Sequence, residues 1–166
     1  MRPILIALLL AGLSQPARVW ADAFSMTLEV SCGAARQSAT TQSDAPRVPG
    51  AIQPPLVKRP LLQVAAGEKL TAKWKAANTG PQPAVDVLVH FYVVRIEKPG
   101  QAPPPLEPHE VVIETAGTMD LPPAGSTSAE LQFLPDRAGA YLVRIEIPVS
   151  DQGGQAHYAA IDLVVK

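Results

Sequence analysis

The 166 residues carry 14 basic and 15 acidic side chains, a formal charge of −1, with 47% hydrophobic residues, 18 prolines and one cysteine. This balance supplies neither a basic stripe nor an aromatic-rich basic patch, so nucleic acid is excluded as a partner class. The lone cysteine excludes an internal disulfide framework, and the prolines favour turns and sheet edges over long helices.

Residues 1–23 read as a secretory signal peptide. Arg2 supplies a positive end, residues 4–13 an apolar run, Pro16 a break, and small residues permit cleavage after Ala21 or after Ala23. A membrane-spanning helix needs roughly 20 apolar residues, so no integral span is expected once the leader is gone. Loss of Arg2 and Arg18 leaves 12 basic against 15 acidic residues. The expected address is outside the cytoplasm, either periplasmic or extracellular.

The segment Phe24–Cys32 alternates Phe24, Met26, Leu28, Val30 and Cys32 with Ser25, Thr27, Glu29 and Ser31, the period of a half-buried strand. Cys32 is expected to point inward as an inert thiol. The strand is expected to pair within its own domain, with donation to the sheet edge of another subunit as the alternative. Residues 33–60 gather Pro, Gly, Ser, Thr and Gln without any period and read as a linker or a long surface loop.

Regular strand signals follow at Leu61–Val64 and over 69–77, where Leu70 and Trp74 alternate with Lys69, Thr71, Lys73 and Lys75. The longest strand is expected over 85–96. One of its faces is wholly apolar (Val85, Val87, Val89, Phe91, Val93), and the other carries Asp86, Leu88, His90, Tyr92, Val94 and Ile96. Lys98, Pro99 and Gly100, then three prolines at 103–105, end it in an extended loop. Further strands are expected over 111–119, 128–134, 140–147 and 157–165. No internal repeat occurs.

Seven to eight short strands separated by turn signals predict an all-β, antiparallel β-sandwich in one domain over 61–166. Two short segments narrow the fold. The run at 136–141, Asp-Arg-Ala-Gly-Ala-Tyr, resembles the tyrosine corner of immunoglobulin-like domains, and Trp74 has the place of a buried mid-strand tryptophan. The segment at 73–80, Lys-Trp-Lys-Ala-Ala-Asn-Thr-Gly, resembles the strand and turn of bacterial cell-adhesion-related (CARDB-type) immunoglobulin-like domains, which are also fibronectin-III-like in outline. The resemblance implies an exported, non-enzymatic interaction module. It transfers no site residues, because that family shares no fixed site.

A search for chemistry finds no G-x-S-x-G elbow, no second histidine after His109 and Glu110 to complete H-E-x-x-H, and no C-x-x-C. No catalytic residue, cofactor or metal set is assigned, and an enzyme is not expected. Glu97, Glu110, Glu114 and Asp120 read as solvated charges. His90 and His157 fall on opposite parities, so they are not expected to share a metal.

In an immunoglobulin-like topology the strands over 85–96, 140–147 and 157–165 are neighbours. Their outward parity collects Leu88, His90, Tyr92, Val94, Leu142, Arg144 and Tyr158, with Ala160 and Val164. Aromatic and arginine side chains within an apolar surround have the composition of an interface, so this face is the candidate binding surface unless residues 33–60 fold over it. The expected function is an exported binding or structural module for a protein of the cell envelope or exterior. The alternative is a periplasmic metal-carrying protein that uses exposed histidines.

Overall fold

The computed structural model describes residues 23–43, 58–149 and 155–166. The expected leader, apart from its last residue, and the stretch 44–57 lie outside the described residues. Among the described residues there are ten strands: β1 Phe24–Cys32, β2 Ala35–Thr40, β3 Gln42–Ser43, β4 Leu61–Val64, β5 Leu70–Asn78, β6 Ala84–Ile96, β7 Val111–Leu121, β8 Ser126–Phe133, β9 Gly139–Val149 and β10 Gln155–Val165. One sheet has the order β2-β1-β5-β8. The other has the order β3-β10-β9-β6-β7, with β4 also paired to β10.

This is the expected sandwich with one parallel pair added, since β4 runs parallel to β10 while the other pairs are antiparallel. Alternation builds the interior. Met26, Leu28 and Val30 of β1 and Leu70, Ala72 and Trp74 of β5 face Phe91 and Val93 of β6, Val143 and Ile145 of β9, and Ile161 and Leu163 of β10. β1, β4 and β5 thus bury about one residue in two, as the pleat requires, whereas the end of β6 and most of β9 and β10 are buried on both faces.

Within residues 33–60, the described part 33–43 forms strands where the composition suggested a linker or loop. β2 pairs with β1 from Thr27↔Thr40 to Cys32↔Ala35 through the two-residue loop Gly33-Ala34. Gly33 has φ 56° at the first loop position, the Gly-X arrangement of a tight hairpin. β2 buries only Ala39, so no apolar period betrayed it; backbone pairing to β1 holds it in place. After Thr41 the chain crosses to the other sheet, where β3 pairs with β10. β1 is flanked on both sides by its own chain, so it has no edge to donate.

Two local departures alter which residues point inward. A bulge between Ala84 and Val87, with Asp86 at φ 54°, inserts an extra residue into β6. Val85 therefore leaves the apolar face on which its parity placed it and is 60% exposed. Cys32 is half-buried against the core rather than fully enclosed. Burial, with Glu68 beside it, pushes its thiol up, which disfavours the reactive thiolate.

The corner between β8 and β9 closes as its sequence predicted. The Tyr141 hydroxyl donates to the Arg137 carbonyl oxygen at 2.6 Å while its ring lies in the core. Tyr141→Phe removes the bond and keeps the ring. It should lower the unfolding free energy by about 1–2 kcal/mol and Tm by a few degrees, read by urea and thermal unfolding. A variant as stable as the parent would show that the hydroxyl does not hold the corner.

Candidate functional site

The outward face of the larger sheet is organised in rows by its registers. Tyr158 lies opposite Glu146, and Glu146 opposite His90; Ala160 opposite Arg144, Arg144 opposite Tyr92, and Tyr92 opposite Glu114; Asp162 opposite Leu142, and Leu142 opposite Val94. The seven candidate residues thus share one surface, because β10, β9 and β6 are consecutive neighbours. Their environments differ sharply. Tyr92, Val94, Leu142, Arg144 and Tyr158 are buried, His90 is half-buried, and Leu88 is 39% exposed.

A second apolar cluster accounts for one side of this face. Tyr92, Val94, Ile96, Ala140, Leu142, Tyr158 and Ala160 pack together, with Leu106 and Val111 laid against them. Leu106 comes from the proline-rich segment between β6 and β7. That segment is fastened by a buried ion pair: Arg59 reaches Asp162 at 2.9 Å through one terminal nitrogen and at 3.0 Å through Nε. The same carboxylate accepts the Gly100 amide at 2.8 Å, and Arg59 also donates to the Gln101 carbonyl oxygen at 2.7 Å. A carboxylate taken out of water requires such partners, and here they also pin the loop.

The other side is polar and centres on Glu146. Its Oε2 accepts Arg144 Nε at 2.6 Å and lies 3.5 Å from the Tyr92 hydroxyl, while Oε1 is 3.4 Å from His90 Nδ1. The Arg144 guanidinium carbon sits 3.9 Å above the Tyr158 ring centre, a cation–π stack. His90 Nε2 is 2.8 Å from Glu114 Oε1 on β7.

Glu146 and Glu114 are the residues that the candidate set lacked. Glu146 was legible, since it shares the parity of Leu142 and Arg144. Glu114 read as a solvated charge, and its side chain is indeed 46% exposed, but it stands within β7 diagonal to His90.

Both His90 nitrogens face carboxylates, and only the imidazolium can donate from both. Its pKa is accordingly raised, first by the hydrogen bond to Glu146, with desolvation opposing, then by Glu114. Glu146 outweighs the closer Glu114 because its side chain is only 16% exposed, so water screens it less. For Glu146 itself desolvation acts upward, yet hydrogen bonds and charge from His90 and Arg144 prevail and hold its carboxyl below the usual range.

The two carboxylates address different ring nitrogens and cannot converge with the imidazole on one ion. His157 is buried on the inward side with its ring 6.3 Å from that of Phe24, and His109 is exposed beside Glu107 and Glu110. Among the described residues no group of three or more His, Cys, Asp or Glu side chains is placed to hold a metal.

No protein-family model and no curated protein matches the chain. Solved structures of similar outline do exist. An alkylpurine DNA glycosylase, AlkC, of Pseudomonas fluorescens bound to abasic-site DNA is 10% identical over 63% of this chain and 27% of its own, with a TM-score of 0.39. The PmoD soluble domain from a Methylocystis species is 16% identical over 63% and 77%, with a TM-score of 0.36. The catalytic domain of a lytic polysaccharide monooxygenase from Listeria monocytogenes is 20% identical over 63% and 59%, with a TM-score of 0.35. The chain thus spans about a quarter of the glycosylase and less than two thirds of the monooxygenase domain.

These likenesses concern the fold alone. They nevertheless correct one expectation. Several of the similar structures are polysaccharide monooxygenases, which runs against the expectation that the chain is not an enzyme. The exclusion of catalysis is withdrawn.

The His90 contacts carry a pH signature. A raised folded-state pKa gives stability that is fully present below the ordinary value of 6.5 and is lost as pH rises through the folded value. The Glu146 contribution has the opposite sense, present above 4.5 and lost as pH falls through its lowered value. Urea unfolding of the parent should therefore show stability falling from pH 6 to pH 8.5, with the fall reduced in His90→Gln. Equal slopes in the two proteins would remove the imidazolium from the network.

Proposed function

We propose that this β-sandwich is an exported module that engages a protein of the cell envelope or exterior through the open margin of its larger sheet. The observation that carries the reading is the asymmetry of the outward face. One side is closed by the loop fastened to Asp162, whereas Leu88, 39% exposed, stands at the other, two residues before His90, whose Nε2 meets Glu114. An exposed leucine next to His90 and its Glu114 contact offers an apolar anchor and a polar rim. In this reading Tyr92, Val94, Leu142, Arg144 and Tyr158 are the rigid backing of the surface, and Leu88 and His90 are its contact residues. The segment at 73–80 and the corner at 136–141 support kinship with the cell-adhesion-related modules. Export rests on the leader-like residues 1–23; among the described residues no helix is long and apolar enough to cross a membrane.

The second reading, a metal carrier, rests on the imidazole of His90 lying beside the partly exposed carboxylate of Glu114. One set of variants tests both readings. Cross-linking capture from the native envelope should recover a partner with the parent, and Leu88→Glu should reduce recovery at least tenfold with Tm unchanged. Undiminished capture by Leu88→Glu contradicts the binding margin. Stoichiometric copper(II) or zinc(II) uptake at micromolar concentration, lost in His90→Gln, would favour the carrier instead.

A further inference from the structure

Along the inward parity of β6 the residues are Val89, Phe91, Val93 and then Arg95. Arg95 lies opposite Tyr141 of β9, so a guanidinium continues the core-facing row at the open end of the sandwich. It is half-buried, and among the described residues it is paired with no carboxylate. An arginine at a core-parity position normally has a counter-charge.

The surroundings form a cleft of about 190 Å3 lined by Arg95, His109, Val112, Leu134, Arg137 and Tyr141, with Glu110 and Asp136 also at its walls. Arg137 lies 3.6 Å from Asp136, and His109 Nε2 lies 3.7 Å from Glu110, a contact that is ionic only while the imidazole is protonated. Arg95 is left as the cation of the cleft without a facing anion. Leu134, 52% exposed, and the partly buried Val112 supply an apolar wall.

Gly139 fixes where the guanidinium sits. A Cβ at that position would stand 3.3 Å from Arg95 Nε and 3.6 Å from a terminal nitrogen, and the backbone there has φ 147°. A side chain at 139 would crowd the guanidinium and strain the chain. Glycine at 139 therefore leaves the space in which the Arg95 guanidinium lies.

We propose that this cleft binds a small organic monocarboxylate with a compact apolar body. A guanidinium fork fits a carboxylate with two parallel hydrogen bonds. An apolar cavity of about 150 Å3 is enough for benzene, so this cleft has room for a ring beside its cation. A single unpaired guanidinium flanked by the carboxylates of Glu110 and Asp136 suits a monoanion and disfavours a dianion such as phosphate. The site lies at the corner end of the sandwich, away from the Leu88 margin, and does not depend on that reading.

The test is a titration of the full 15N-labelled protein with benzoate, followed by NMR. Saturable shifts are expected at the amides of Val112, Gly139 and Tyr141, with binding at least tenfold weaker for neutral benzamide. Arg95→Gln should weaken benzoate binding at least tenfold, and Arg95→Lys should do so less. If Arg95→Gln fails to fold, the benzamide comparison and Arg95→Lys still decide. Equal affinity for benzamide, failure to saturate by tens of millimolar, or saturation of the same amides by inorganic phosphate at lower concentration than benzoate would each overturn the proposal.

Discussion

The buried carboxylate of Asp162 constrains more of this molecule than any other single group. It lies on the outward side of β10, where alternation alone would place a solvated residue, yet its side chain is 3% exposed. A charge in that position needs donors, and they come from Arg59 at the entrance to β4 and from the Gly100 amide in the turn after β6. Segments 62 and 103 residues distant along the chain are thereby tied to one strand. The parallel β4 and the closed side of the outer face both follow from that tie. Replacing one partner would strand the other as an unpaired buried ion, which is why such a pair resists single substitutions.

The second organising constraint is the parity of β9. With Tyr141 anchored in the corner, Tyr141, Val143 and Ile145 face the core, whereas Leu142, Arg144 and Glu146 face outward. β9 stands between β10 and β6, so its parity propagates to both. The outward face then divides by chemistry. Apolar residues lie under the pinned loop, and a chain of charge from Arg144 through Glu146 to His90 and Glu114 leads to the exposed margin. Any partner at Leu88 would meet a surface whose geometry is set by buried hydrogen bonds, with little ordering entropy left to lose.

Much of this was legible in the sequence because β1 and β4 through β10 announce themselves by alternation, and the run at 136–141 fixes which residues turn inward. Three features were not. β2 buries only Ala39, so its existence depends on pairing with β1 rather than on its own pattern. The bulge at Asp86 shifts parity by one residue and expels Val85, and no local composition marks it. The Arg59 and Asp162 pair is a contact between distant segments, invisible until the fold brings β4 beside β10. Within the site, Glu146 followed from parity alone, while Glu114 required knowing that β7 lies beside β6.

The most direct measurement of the central claim, that Asp162 fastens the loop to the sheet, is amide hydrogen exchange in the unmodified protein. The Gly100 amide should exchange slowly, in step with the central β10 amides and far more slowly than the amides of the exposed residues Lys98 and His109. Exchange of Gly100 as fast as those neighbours would contradict the account, because the face would then lack its fastening.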